Sequence, residues 1–286
     1  MKLIRFGAPG EEKPGVILDD KYYDVSAYIP DYDEIFFDSE GISYLQTEIQ
    51  HKKAELPVVP KDVRLGSPIA RPSKIVCIGL NYADHAKETG AAVPPEPVIF
   101  LKSTTALVGP FDDIMIPKNS EKTDWEVELV VVIGKKASNV EEAAAMDYVA
   151  GYCVHNDVSE RAFQLERNGT WDKGKGCDTF APLGPWLVSK DEVKDAGNLR
   201  LWLTVNGRKM QDGTTANFIF NVPFLVSYVS QFMTLLPGDI ISTGTPAGVG
   251  MGMKPTAIYL KPGDVVELGI DGLGVSKQNV IAYARH

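Results

Sequence analysis

The sequence predicts a mixed, β-rich α+β fold: a small β-rich N-terminal unit followed by a larger domain. Three observations support this. Short β-branched and aromatic segments recur between glycine and proline turns in the first 70 residues and in the final third. The stretch Thr123-Asp124-Trp125-Glu126-Val127-Glu128-Leu129-Val130-Val131-Val132-Ile133 reads as a strand that becomes apolar on both faces. Only a few segments carry helical spacing.

In chain order, 2–6 and 15–18 are short strand candidates, with turns at Ala8-Pro9-Gly10 and Asp19-Asp20. Residues 41–54 suit one short helix. Pro57, Pro60, Pro68 and Pro72 punctuate a connecting stretch. This places the division at 1–70 for the small unit and 71–286 for the larger domain. A strand at 74–78 runs into Gly79-Leu80-Asn81-Tyr82, and a short helix follows, with Asn81 or Asp84 as its cap. Gly79 and Gly90 flank this segment, so it can move as a lid. A strand at 98–102, a helix at 141–146 and a buried strand at 148–155 come next. The last third holds a strand at 201–205, the Asn206-Gly207 hairpin turn, a helix from Val222 to Leu235, and strands at 240–243 and 265–268.

Composition narrows the function. The 286 residues are 44% hydrophobic and 23% charged, with a net charge of -9. That balance excludes an electrostatic footprint for nucleic acid or an anionic membrane surface. The three cysteines show no zinc spacing and suit a reducing compartment. The start, Met1 to Gly7, lacks a signal-peptide apolar region and no run approaches the length of a membrane span, so the expected location is the cytoplasm.

The chemistry gathers in four places. Asp124, Glu126 and Glu128 alternate onto one strand face that later becomes apolar. Carboxylates at the mouth of a covered sheet need a cation opposite, and a divalent metal is the simplest. The same alternation also describes a solvent-facing strand. His85 and Glu88 stand three apart on a helix, a spacing that orients an imidazole as a general base or makes a plain surface pair. Asp157 ends the buried strand, as a functional carboxylate or an N-cap, with Arg161 and Gln164 on the following turn. Lys173 and Lys175 lie in a polar glycine-rich loop at 166–180, and reach an anionic ligand or stay solvated. The amides and the Thr245 hydroxyl of the 244–250 glycine segment can bind a carboxylate or simply connect two strands.

These motifs, in this order, resemble the fumarylacetoacetate hydrolase family. The resemblance covers roughly residues 70–286. It rests on Lys74 to Tyr82 with His85 and Glu88, Asp124 to Leu129, His155-Asn156-Asp157-Val158-Ser159 with Arg161 and Gln164, Lys175, Pro237-Gly238-Asp239 and Gly244-Thr245-Pro246. It implies a β-roll catalytic domain, usually homodimeric, behind a small N-terminal domain. It implies Mg²⁺, or Mn²⁺, on Glu126, Glu128 and Asp157, a choice consistent with all-oxygen ligation. It further implies His85, Glu88 and Lys175 as catalytic residues, and Arg161, Gln164 and Thr245 as substrate-binding residues. The expected substrate is a 2-oxo acid. The stretches 1–17 and 171–186 look most like hydrolases of 2,4-dioxo-3-deoxy sugar acids, which release pyruvate and a small acid such as lactate. Oxaloacetate decarboxylation, isomerisation of a 2-oxo acid, and carboxylate binding without catalysis are the alternatives.

Overall fold

The structure is a computed structural model that describes residues 1–90 and 92–284. It is the expected mixed, β-rich fold. Among the described residues, one open sheet of eleven strands dominates. Its path runs from Val58–Val59 through Lys21–Asp24, Lys13–Leu18, Lys2–Phe6, Leu187–Ser189, Val149–Asn156, Val127–Ile133, Ile240–Ser242 and Ile75–Gly79 to Val98–Lys102. Leu65–Gly66 also pairs with Lys2–Phe6. The N-terminal strands therefore extend the same sheet that carries the carboxylate strand. The junction is the antiparallel pairing of Lys2–Phe6 with Leu187–Ser189, Lys2 opposite Val188 and Leu3 opposite Leu187.

A second sheet of five strands orders Arg208–Thr214, Arg200–Val205, Val265–Ile270, Gly274–Ile281 and Ile114–Met115. Its Leu201, Leu203, Val266 and Leu268 share one apolar core with Val127, Leu129 and Val131. That burial on both sides explains the two-faced apolar pattern of Val127–Ile133, every residue of which is buried. The hairpin turn forms as expected, with Asn206 and Gly207 at φ 52° and 74°.

Several elements differ from the sequence expectation. The 123–134 stretch is two strands. Thr123–Asp124 pairs with Ser159–Glu160, and Val127–Ile133 pairs with Val149–Asn156. Trp125 and Glu126 leave the ladder between them because side chains replace its bonds. Trp125 N–H donates to Asp124 Oδ1 at 2.8 Å and Glu126 N–H to Asn156 Oδ1 at 3.1 Å. Neither Asn81 nor Asp84 caps the Ala83–Thr89 helix. Tyr82 occupies the cap position without a side-chain bond, and the Asn81 side chain instead clamps the backbone of Phe220 and Thr243. The 141–146 helix is a 3₁₀ turn at Glu142–Tyr148. Asp157 is no cap; Glu160 caps Arg161–Leu165 by accepting from Ala162 N–H. The polar 166–180 loop contains a helical turn, Asp172–Lys175. No helix among the described residues is long and apolar enough to cross a membrane.

Arg64 clasps the early strands to the larger part of the chain. Its Nε and Nη2 donate to the two oxygens of Asp112 at 2.8 and 2.6 Å, and Nη1 donates to Glu12 Oε1 at 2.9 Å. Burial raises the Glu12 pKa, but the Arg64 hydrogen bond and the nearby Arg5 outweigh it and leave it below its usual 4.5. A lowered carboxylate pKa stabilises the fold above the unfolded value and loses that contribution as pH falls through the folded one. Arg64→Met should therefore lose more stability at pH 7 than at pH 3.5, measured by denaturant unfolding at both values. An equal loss at both would show that the clasp acts by packing alone.

Candidate active site

The break at Trp125 and Glu126 sets the site. It turns Glu126 toward Asp157, whose backbone N–H donates to the Glu126 carbonyl at 2.9 Å. Glu126, Glu128 and Asp157 are all buried, and each offers an oxygen within 4.8 Å of the others. Four carboxylates, counting Asp124, face three buried cations. Lys175 Nζ lies 2.7 Å from both Glu126 Oε2 and Asp157 Oδ2. Lys102 Nζ donates to Asp157 Oδ1 at 2.5 Å and to the Val158 carbonyl at 3.0 Å. Arg161 Nη2 reaches Glu126 Oε1 at 2.6 Å, its Nε reaches Asp124 Oδ2 at 2.9 Å, and its Nη1 donates to Gln164 Oε1 at 3.1 Å.

This arrangement splits the carboxylates electrostatically. Burial pushes Glu126 up, but Lys175 and Arg161 hold it below its usual value. Burial also opposes charge on Asp157, and Lys102 and Lys175 overcome it, lowering its pKa strongly. Glu128 is pushed well above the carboxylate range, by burial first and then by the charges of Asp157 and Glu126. Among the described residues, it is the one carboxylate of the four with no cation in ion-pair reach. Only neutral donors meet it: Ser242 Oγ at 2.5 Å and Gly244 N–H at 2.9 Å, both on Oε2. The Ser242 hydroxyl also shares a hydrogen bond with His155 Nδ1 at 2.7 Å. Burial lowers the His155 pKa to about 3, keeping it neutral.

A divalent cation fits this donor set. The oxygens are hard, they converge, and a cation there would favour the ionised form of Glu128, which burial and its neighbours oppose. Glu126, Glu128 and Asp157 are the residues that would hold it.

His85 lines the same cavity, with Glu88 beside it. Glu88 Oε2 lies 3.6 Å from His85 Nδ1, and both Glu88 oxygens accept from Gly248 N–H at 3.0 Å. The expected lid helix is thus latched to the glycine segment. Arg161, Gln164, Lys175, Thr245 and His85 all line a cavity of about 180 Å³ with Glu126 and Glu128. Glu88 stands behind His85.

Two expectations change. The amides of the glycine segment serve the protein's own carboxylates rather than a ligand. Gly244 binds Glu128, Gly248 binds Glu88, and Gly250 and Met251 bind Asp124 at 2.7 and 3.0 Å. The Thr245 hydroxyl donates to the Val127 carbonyl and accepts from Gln211 Nε2, so its proton is committed to the strand. Lys102, His155 and Ser242 are participants that the sequence reading missed. The available signal for Lys102 was a lone cation ending the apolar strand Val98–Lys102.

Comparison with known proteins agrees with this geometry. The profile of the fumarylacetoacetate (FAA) hydrolase C-terminal family matches residues 74–281. A Burkholderia multivorans protein whose hydrolase assignment is provisional is 54% identical over 97% of this chain and 98% of its own. The crystal structure of maleylpyruvate hydrolase from Sphingobium, in complex with manganese(II) and pyruvate, superposes with a TM-score of 0.83 at 28% identity, covering 99% of this chain and 100% of that one. The 2-hydroxyhepta-2,4-diene-1,7-dioate isomerase of Mycobacterium marinum superposes at 0.77 with 34% identity, covering both chains in full. The fold and the buried acidic centre are those of an enzyme. The chain belongs to the fumarylacetoacetate hydrolase family.

Lys102→Met should leave Asp157 short of one partner and cost about 3 kcal/mol of folding stability, because half of a buried ion pair is lost. Denaturant unfolding at pH 7 without added metal checks this, and a change below about 0.5 kcal/mol would refute the pairing.

Proposed function

We propose that the protein hydrolyses the C3–C4 bond of a 2,4-dioxo acid: an acylpyruvate, or a 2,4-dioxo-3-deoxy sugar acid, giving pyruvate and a small acid such as lactate. The observation that carries this reading is the uncompensated Glu128 beside Glu126 and Asp157, under a cavity that His85 also faces. The pyruvate and manganese in the related Sphingobium structure support it.

When bound at Glu126, Glu128 and Asp157, Mg²⁺ or Mn²⁺ would supply positive charge for the 2-oxo and carboxylate oxygens. The chain's own groups do the rest. Arg161, bridged to Gln164, orients the substrate's carboxylate end. His85, with Nδ1 toward Glu88, takes a proton from water on Nε2. The water oxygen bonds to C4, the C3–C4 bond breaks, and its electron pair moves onto C3 and the 2-oxo oxygen. Lys175 stabilises that developing charge. C3 then takes a proton, so one water is consumed per pyruvate and acid released.

Isomerisation of a 2-oxo acid is the second reading, favoured by the likeness to the Mycobacterium marinum isomerase; oxaloacetate decarboxylation is a third. Both use the charge-stabilising centre without an attacking water. A panel of 2-oxo and 2,4-dioxo acids with Mg²⁺ or Mn²⁺ in ¹⁸O-water separates them. Hydrolysis places one ¹⁸O in the released acid. Carbon dioxide from oxaloacetate at a higher rate, or a product of unchanged mass, would replace the hydrolase reading.

Glu126→Gln should lose bound metal, by elemental analysis, and activity with it. His85→Ala should keep its metal and lose turnover by about 10²–10⁴-fold. Full metal occupancy in the first variant, or an unchanged hydrolytic rate in the second, would remove the corresponding role.

A further inference from the structure

The cavity has two chemically distinct halves. The inner half holds the acidic centre with Lys175 and Arg161. Both cations are tied down, Lys175 to Glu126 and Asp157, and Arg161 to Asp124, Glu126 and Gln164. The partly exposed Leu80, Leu165, Trp171 and Met251 make the outer half, and the buried Phe100 joins it to the inner one, lying under Lys175 Nζ at 5.0 Å from its ring centre. Among the described residues lining the cavity, no other lysine or arginine is present.

The apolar wall is held in place by the fold. Trp171 lies edge-on to Phe100, with ring centroids 5.2 Å apart, and closes over Gly79, where a Cβ would meet the indole at 2.4 Å. Leu80 has φ 54°, a left-handed conformation that leucine rarely adopts. The next residue, Asn81, is clamped to Phe220 and Thr243. Glycine or asparagine would be easier there, so the backbone gives no reason for leucine. Its contact with the cavity does. The volume of about 180 Å³ also lies below the roughly 300 Å³ at which sites for drug-sized ligands begin, which restricts the occupant to a short molecule.

We infer that the outer wall selects substrates whose C4 substituent is short and uncharged: monocarboxylic 2,4-dioxo acids, discriminated from dicarboxylic ones by Leu80 and Leu165. This inference rests on the proposed reading of the inner half as the 2-oxo acid site. A second carboxylate on the tail would meet hydrocarbon and no cation, and would lose hydration without a partner. A single hydroxyl, as in a deoxy sugar acid, costs far less. This specificity sets the chain apart from its Mycobacterium marinum neighbour, whose named substrate is a dioate.

The test compares 2,4-dioxohexanoate with 2,4-dioxoheptanedioate, which adds one carboxylate to the tail. Affinity for the Mg²⁺-loaded protein is measured by calorimetry and kcat/KM by pyruvate release. The monocarboxylate should be favoured at least about tenfold in both. Leu80→Arg should raise the dioate's kcat/KM about tenfold or more relative to the monocarboxylate. Leu165→Arg, at a position 48% exposed, carries the same expectation without burdening the fold. Leu80→Gly removes the strained side chain and should bring no gain for the dioate. Equal or better use of the dioate by the unaltered protein, or no shift in either arginine variant, overturns the inference. Selective binding of the monocarboxylate without turnover leaves the inference standing and removes the hydrolase reading. Binding of neither ligand overturns both.

Discussion

Four carboxylates buried against three cations form the constraint on which the site depends. Asp124, Glu126, Glu128 and Asp157 are all buried beside the core that the two sheets share, where bulk water screens them poorly. Lys102, Arg161 and Lys175 compensate three of the four. Glu128 lies between neighbours of the same sign with no cation of its own, and this is the physical basis for reading the centre as a cation site. A buried carboxylate left so is costly in a purely structural role. It is useful where charge must be gathered for a reaction.

The neutral scaffold around these charges fixes where each oxygen points. Ser242 and Gly244 hold one oxygen of Glu128, with His155 bonded to Ser242 behind it. Gly250 and Met251 hold Asp124, which in turn holds Arg161. Gly248 holds Glu88, and Glu88 faces His85. One short segment, 244–251, thereby positions the acidic centre, the guanidinium and the base pair together. Glycine is required at Gly248 in particular. Its φ is 108°, and a Cβ there would meet the Met210 carbonyl oxygen at 2.0 Å. The segment that resembles a ligand-binding loop is the frame of the site.

Much of this was legible in the sequence. The two-faced apolar run at 127–133 announced a covered strand, and the carboxylates before it announced a buried charge problem. The H-x-x-E spacing placed His85 and Glu88 on one turn, and the strand end placed Asp157 before Arg161. Local pattern suffices for such statements because each concerns residues within one or two turns or strands of one another. The break at Trp125 was not legible, because it depends on Asn156, thirty residues away, supplying a side-chain acceptor in place of a ladder carbonyl. The cap of the Ala83–Thr89 helix was misread for the same reason: Asn81 finds better partners at Phe220 and Thr243 than in its own first turn.

The sequence by itself determined the types of chemistry present: a carboxylate strand, an oriented imidazole, a strand-end aspartate and cations nearby, in an order that resembles a single family. The tertiary structure decided which charge meets which. Lys102 and Lys175 converge on Asp157 from 55 and 18 residues away, and Ser242 reaches Glu128 across 114. Coulomb energy and hydrogen bonding depend on distance in space. Chain separation carries no such information, so the uncompensated Glu128 and the apolar outer wall beside it became visible only when the chain was folded.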